Sequence, residues 1–176
     1  MKGRLSVALF LAVALTAAWA VPASAKAPLV GQMDLQFNKA WPGPSADIPD
    51  WVGTITIDGE DYGMAFFALG SGKPFESDPS TSVHFFEETW TIYDELSFEF
   101  DEASDLTRFE PGNVVLSGPD YGISNLVNLK YHMSGSVDEA AGPFAEWLGR
   151  SVHMSGDLEG FPDQVVWNAP GVFRIN

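Results

Sequence analysis

Downstream of residue 50 the chain alternates between apolar and polar positions in short runs, a pattern typical of β-strands. The run 51–57 is the clearest, because it alternates and is rich in β-branched residues, which favour strands. Asp58-Gly59 follows it, and glycine can adopt the positive φ that tight turns need. The pattern predicts further strands at 62–69, 83–93, 96–100, 113–117, 125–136, 150–158, 165–167 and 172–175, and loops at 70–74 and 101–112.

Helical periodicity is weak by comparison. The best helical segment is 138–148, and Gly142-Pro143 interrupts it. Short strands with glycine-rich turns and almost no helix indicate an antiparallel barrel or sandwich. We therefore predict an all-β fold, a calycin-like antiparallel barrel of about eight strands at 51–176 with one short helical turn. An N-terminal arm is predicted at 26–50, in which 32–37 has strand character.

The first 25 residues have the three-part pattern of a secretory signal peptide. Lys2 and Arg4 precede an apolar stretch at 5–18, and a small-x-small triplet ends at Ala25. The apolar stretch is shorter than the roughly 20 residues of a membrane-spanning helix, which favours cleavage after Ala25 over an uncleaved anchor. We expect a secreted or periplasmic protein with no membrane association after cleavage.

Two of the predicted strands, 62–69 and 83–93, are apolar on both faces, although a solvated outer face should be polar. Either the N-terminal arm or the helical turn covers the outer face, or another subunit does. An exposed apolar face on a small barrel makes a homo-oligomer, a dimer or trimer, plausible.

Charge excludes several classes of partner. The chain has 24 acidic and 9 basic residues, a net charge of −15, which becomes −17 once Lys2 and Arg4 leave with the signal peptide. Nucleic acids and anionic membrane surfaces bind basic proteins, so neither is expected as a partner. The chain has no cysteine, which excludes disulfides, thiolate metal sites and cysteine nucleophiles. No nucleotide-binding, serine-hydrolase or zinc-protease motif occurs, and no cofactor is expected.

The three histidines, His84, His132 and His153, all lie on predicted strands, and three imidazoles can bind zinc or copper. Two of them belong to a repeat, because the sequence HMSG at 132–135 returns at 153–156. Alternation turns His132 and His153 outward and places His84 on the opposite side of its sheet. No acidic stretch has the ligand spacing of a calcium loop. We therefore predict no metal site.

The most distinctive chemical feature is a carboxylate between aromatic residues. Glu88 alternates with Phe86 and Trp90, so one strand face carries all three. If that face lines the barrel, burial raises the pKa of Glu88 and makes it a candidate acid, base or cation stabiliser. The alternatives are that Glu88 faces solvent and Glu87 points inward, or that both residues lie near a rim of the barrel. We take Glu88 as the candidate catalytic residue; the candidate ligand-binding residues are Phe86, Trp90, Tyr131 and Met133.

The segment 142–150, with the sequence GPFAEWLGR, is followed by VHMSG at 152–156. This resembles the second half of allene oxide cyclase-like and dirigent-like barrels, which carry a small-residue, aromatic turn before a strand ending in glycine. The resemblance covers 51–176 at most. It implies a closed barrel, frequent trimers, an apolar lumen, and cyclisation or steering of a reactive intermediate without a cofactor. A buried glutamate assists in the cyclases, and Glu88 is the position that would take this role.

Three functions are compatible with these observations. The lumen could bind a small apolar molecule, as a carrier or sensor without chemistry. It could instead be the site of a cofactor-free cyclase or isomerase. The third function is a structural or interaction domain whose barrel is filled by aromatic side chains. The volume of the lumen bears on this choice, since a filled barrel leaves no room for a ligand.

We expect the exported protein to begin at Lys26, because the small-x-small triplet ends at Ala25. The intact mass of the protein recovered after export measures this directly. Retention of residues 1–25 would contradict the signal-peptide interpretation.

Overall fold

A computed structural model describes residues 26–41, 43, 45–69 and 83–176. The predicted signal peptide and the predicted loop 70–74 lie outside these residues. A 3₁₀ helix spans Gly142–Trp147. The strands are β1 Leu29–Phe37, β2 Trp51–Ile57, β3 Glu60–Ala68, β4 Val83–Tyr93, β5 Leu96–Phe100, β6 Leu106–Pro111, β7 Val114–Asn125, β8 Lys130–Ser136, β9 Glu139–Ala140, β10 Ser151–Asp157 and β11 Gly171–Ile175.

Eight of these strands form a closed antiparallel barrel, which confirms the predicted fold class. Their order around the barrel is β4-β3-β2-β1-β11-β10-β8-β7, and pairing of β4 with β7 closes the ring. Closure leaves no unpaired edge in the ring, and each strand turns alternate side chains inward. β9 pairs with the first part of β7, outside the ring.

β1 corrects the predicted N-terminal arm. Residues 29–37 form a full barrel strand, paired with β2 on one side and β11 on the other. Met33, Leu35 and Phe37 face the core, whereas the intervening positions are polar and at least partly exposed. The four prolines of 26–50 all lie outside this strand, so their abundance obscured the alternation inside it.

Other boundaries also differ from the prediction. β6 occupies part of the predicted loop 101–112, residues 126–129 form a turn inside the predicted strand 125–136, and 165–167 is not a strand. β7 runs through Gly118-Pro119, where a break was predicted. Pro119 fits because the pairing of β7 with β8 begins only at Asp120, so its missing N–H lies beyond that ladder.

The β5–β6 hairpin explains why β3 is apolar on both faces. Phe67 and Tyr93 point out of the barrel and pack edge-on against Phe109 of β6, with ring centroids 6.1 and 6.2 Å apart. Gly63 lets the hairpin approach closely, since a Cβ at that position would lie 2.0 Å from Cβ of Leu96. The hairpin, rather than the arm or the helical turn, therefore covers this part of the barrel.

The first part of β4 and the middle of β7 remain uncovered by the described residues. Phe85 is 83% exposed and Tyr121 is 67% exposed. Phe85 pairs with Ile123 of β7, so the three side chains share one outer surface. The homo-oligomer remains a prediction, and this exposed surface is the part of the barrel that a second subunit would cover.

The 3₁₀ helix covers one of the two ends of the barrel. At the lower end, where β1 begins, Phe144 and Trp147 of the 3₁₀ helix are buried and Tyr62 contacts Phe144 edge-on. The upper end lies where β1 ends and Phe37 pairs with Trp51. Across the part of the chain that the structure describes, no helix is long and apolar enough to span a membrane.

Candidate functional site

The structure places Glu88 inside the barrel. Its side chain is 2% exposed, whereas that of Glu87 faces outward and is exposed. Phe86 and Trp90 share the inner face with it, as the alternation of β4 predicts. Glu88 therefore occupies the apolar environment that makes its ionisation unfavourable.

Two further carboxyl groups lie near Glu88. Asp120 of β7 stands directly opposite Glu88 in the β4–β7 register, and Asp50 immediately precedes β2. Asp50 is 0% exposed and Asp120 is 4% exposed. Among the described residues, no lysine or arginine forms an ion pair with any of the three. We call Asp50, Glu88 and Asp120 the buried acid cluster.

Burial raises the pKa values of both Asp50 and Glu88. Burial raises the pKa of Glu88 well above its ordinary value, and the charges of Asp50 and Asp120 raise it further. Burial also raises the pKa of Asp50, to about 7, although hydrogen bonds from Glu88 and from the backbone N–H of Trp51 oppose this. Glu88 therefore keeps its proton to higher pH and donates a hydrogen bond to the Asp50 carboxylate.

Asp120 has unused hydrogen-bonding capacity. Burial raises its pKa well above the usual range, with a smaller effect from the charge of Asp50. Within the described part of the chain, neither carboxyl oxygen of Asp120 has a hydrogen-bond partner, and neither does Oδ2 of Asp50. A buried polar group without a partner costs about 1–3 kcal/mol. A water molecule or a ligand could satisfy these oxygens.

The irregular segment before β2 holds Asp50 in place through Asn38. The Asn38 backbone N–H donates to the Asp50 carbonyl at 2.7 Å, and its side-chain amide donates to the Pro49 carbonyl at 3.0 Å. The backbone N–H of Asp50 in turn donates to the carbonyl of Phe66 on β3 at 3.0 Å. Asp50 is thus fixed to the upper rim of the barrel by its backbone, while its carboxyl group reaches Glu88.

A cavity of about 20 Å³ lies beside Glu88 in the upper half of the barrel. A single water molecule needs roughly 10–15 Å³ by the same measure, so this cavity has room for about one water molecule. The polar groups of the lining are Glu88, Ser124 and Tyr131. The remaining lining residues are apolar: Leu35, Trp51, Phe66, Phe86, Met133, Leu158 and Ala169.

Three of the four predicted ligand-binding residues, Phe86, Tyr131 and Met133, line this cavity. Trp90 is not part of the cavity lining. It is fully buried one step deeper along β4 and packs edge-on against Phe173, with ring centroids 5.3 Å apart. Trp90 is therefore a core residue beneath the cavity.

The histidines lie on both sides of the sheet. His132 and His153 are exposed on the outer face, and His84 is buried on the inner face of β4, opposite Ser124. His84 Nε2 has no hydrogen-bond partner among the described residues. Within the same residues, no group of three or more His, Asp or Glu side chains has an arrangement that could hold a metal ion.

Sequence reasoning missed two members of the buried acid cluster. Asp50 lies in an irregular segment where no periodicity indicates which way a side chain points. Asp120 lies on the same inward face as Leu116, Gly118 and Gly122, at every second position of β7. The predicted strand ended at residue 117, before Gly118-Pro119, so this alternation was not recognised. A continuous strand through Pro119 was the signal that could have identified Asp120.

We expect the free energy of unfolding to decrease as pH rises. All three acids have raised pKa values in the folded state. Their contribution to the free energy of unfolding is therefore fully present below their unfolded-state pKa values of about 4. This contribution is lost as pH rises through their folded-state pKa values; that of Asp50 is about 7. Urea unfolding should show a loss of roughly 2–4 kcal/mol between about pH 5 and about pH 8.

Asp50→Asn should reduce this pH dependence, because the amide needs no proton to remain neutral. Glu87→Gln is the matched control, since it also removes one carboxyl group but on the exposed face of β4. Equal pH slopes in the two variants would show that general charge repulsion, rather than the buried acid cluster, causes the loss.

Comparison with known proteins finds no matching family model, no similar curated protein and no similar solved structure. The resemblance to allene oxide cyclase-like and dirigent-like barrels accordingly stays a prediction. The function has to be inferred from the chemistry of the site itself.

Proposed function

We propose that this protein is an exported barrel that binds a small, largely apolar molecule at the upper end of its lumen, beside Glu88. The observation that carries the proposal is the buried acid cluster next to an apolar cavity. Burying acids without a cationic partner destabilises a protein, so a site that keeps three of them is a candidate for function. Ligand pockets usually combine apolar walls with a few polar groups, and this cavity has that composition.

The Asp50–Glu88 pair would form a hydrogen bond with a polar group of the ligand. When Asp50 is protonated as well, the pair has two O–H donors and one of them can serve an acceptor on the ligand; Ser124 and Tyr131 add two hydroxyl groups to the cavity wall. Because the pKa of Asp50 is about 7, the charge of the Asp50–Glu88 pair changes near neutral pH. A ligand with a hydrogen-bond acceptor would therefore bind best where the pair is protonated.

The size of the cavity means that a ligand must displace side chains. Phe86 is the best placed to move, because it is only partly buried and lies at the upper end of the lumen. Gly122 stands opposite it without a side chain, and a Cβ there would lie 2.5 Å from the Phe86 ring. Rotation of Phe86 would open the lumen above Glu88.

A cofactor-free cyclase or isomerase would use the same groups. Protonated Glu88 could act as a general acid, and ionised Asp50 could stabilise a developing cation. This is the activity that the resemblance to allene oxide cyclase-like barrels implies. It shares with the binding function the requirement that an apolar molecule enters the lumen.

A structural or interaction domain is the second candidate, and the small cavity favours it. Aromatic packing such as that of Trp90 on Phe173 fills the centre of the barrel. Phe85 and Tyr121 would then contact a partner or a second copy from the outer surface. In that case the buried acid cluster only lowers stability.

Titration with N-phenyl-1-naphthylamine, an uncharged fluorescent apolar probe, distinguishes the two candidates. Phe86→Ala widens the cavity, so we expect this variant to bind the probe several-fold more tightly than the unaltered protein. Phe85→Ala truncates the neighbouring phenylalanine on the outer face and should leave binding unchanged. If neither the unaltered protein nor Phe86→Ala binds the probe, the filled-barrel candidate is supported.

Native mass spectrometry after mild purification should show the protein with a co-purified small molecule. Glu88→Met keeps the length of the side chain but has no hydrogen-bond donor, so we expect lower occupancy in this variant with the fold retained. Undiminished occupancy would exclude Glu88 as a ligand contact. The same spectra report the number of subunits and therefore test the dimer or trimer.

A further inference from the structure

The two HMSG repeats pair with each other on adjacent strands. In the β8–β10 register Met133 stands opposite Met154, and each histidine stands opposite the serine of the other repeat. Both methionines are buried in the core, so the residues beside them point outward. His132, Ser134, His153 and Ser155 consequently form a compact array on the outer face of the barrel.

A hydrogen bond joins two members of this array. Ser134 Oγ lies 3.2 Å from Nδ1 of His153. The bond orients the imidazole across the strand pair and leaves Nε2 as the ring nitrogen available to a ligand. The two residues are 19 positions apart in the chain and are brought together only by the pairing of β8 with β10.

Arg174 of β11 extends the array. It stands directly opposite His153 in the β10–β11 register and is exposed. Within the described part of the chain Arg174 forms no ion pair, whereas Lys26, Arg108 and Lys130 each pair with a carboxylate. Its planar fork of five N–H donors is therefore free to bind an external acceptor.

Acidic residues are missing from the positions that surround Arg174, although the chain has 24 of them. The registers place Val30, Gln32, Val172, Ser151 and Ser155 around Arg174 and His153. The charged and titratable groups at the margins are Lys130 paired with Asp157, Tyr121 of β7 opposite Ser134, and Asp138, which accepts a hydrogen bond from Ser136.

We propose that this outer cationic patch, formed by His132, Ser134, His153, Ser155 and Arg174, binds a phosphate group. A shallow groove of about 420 Å³ runs over all five residues. Arginine binds phosphate oxygens through two parallel hydrogen bonds, and the serine hydroxyls add further donors. The patch is separate from the lumen, so it does not depend on the function proposed above.

Other chemistries fit this patch less well. A transition metal would be repelled by Arg174, and the described residues offer no third ligand to the two histidines. A nucleophilic Ser134 would need a third group that orients His153, and the residue opposite His153 on β11 is a cation rather than a carboxylate. A phosphate group uses every member of the array.

The test is a two-dimensional NMR titration of the exported protein with inorganic phosphate. We expect saturable shifts confined to β8, β10 and β11. Glycerol 3-phosphate forms a second arm, and tighter binding of this ester would indicate a ligand that carries an organic group.

Arg174→Gln should weaken phosphate binding at least tenfold, as expected for loss of a charge-assisted, two-point contact. Arg108→Gln makes the same change of charge on the separate β5–β6 hairpin and should leave binding unchanged. The proposal is overturned if phosphate gives no saturable shifts, or if both arginine variants weaken binding equally.

Discussion

Pairing of β4 with β7 closes the barrel, and the interior site depends on this closure. In an open sheet these two strands would be opposite edges, and Glu88 and Asp120 would be far apart and hydrated. Closure instead sets the two carboxyl groups face to face in the interior. Loss of solvent is the largest cause of the raised pKa of each member of the buried acid cluster.

Small residues on the inner faces of β7 and β8 make this interior possible. A Cβ on Gly122 would lie 2.5 Å from the ring of Phe86, and a Cβ on Gly135 would lie 2.9 Å from Cβ of Asp120. Glycine at these positions leaves room for an aromatic ring and for an acid. The aromatic rings pack around Glu88 and leave a cavity of about 20 Å³ beside it. The same packing thus creates the site and limits what can enter it without a side-chain movement.

On β8 and β10 the inward side chains are apolar and the outward side chains are polar. β8 and β10 contribute Met133 and Met154 to the core, and the adjacent positions in the same strands contribute histidine and serine to the surface. Asp50, Glu88 and Asp120 are buried in the upper half of the barrel, whereas Arg174 and the two exposed histidines lie outside it. Acidification favours the folded protein on the inner side, because it neutralises the buried acids.

Within single strands, the sequence determined side-chain direction, because a strand turns successive residues to opposite faces. That rule alone put Phe86 and Glu88 on one face and turned His132 and His153 outward. It failed at β1 and β7, where prolines near or inside the strand suggested a break. The composition also determined the strongly negative charge and the all-β class.

Only the tertiary structure decided which residues meet across strands. Asp50 and Asp120 join Glu88, Arg174 joins His153, and the β5–β6 hairpin covers β3, through contacts between segments far apart in the chain. The volume left beside Glu88 is likewise a property of the whole packed barrel. Periodicity describes one strand at a time, whereas register, closure and packing depend on the free energy of all strands together.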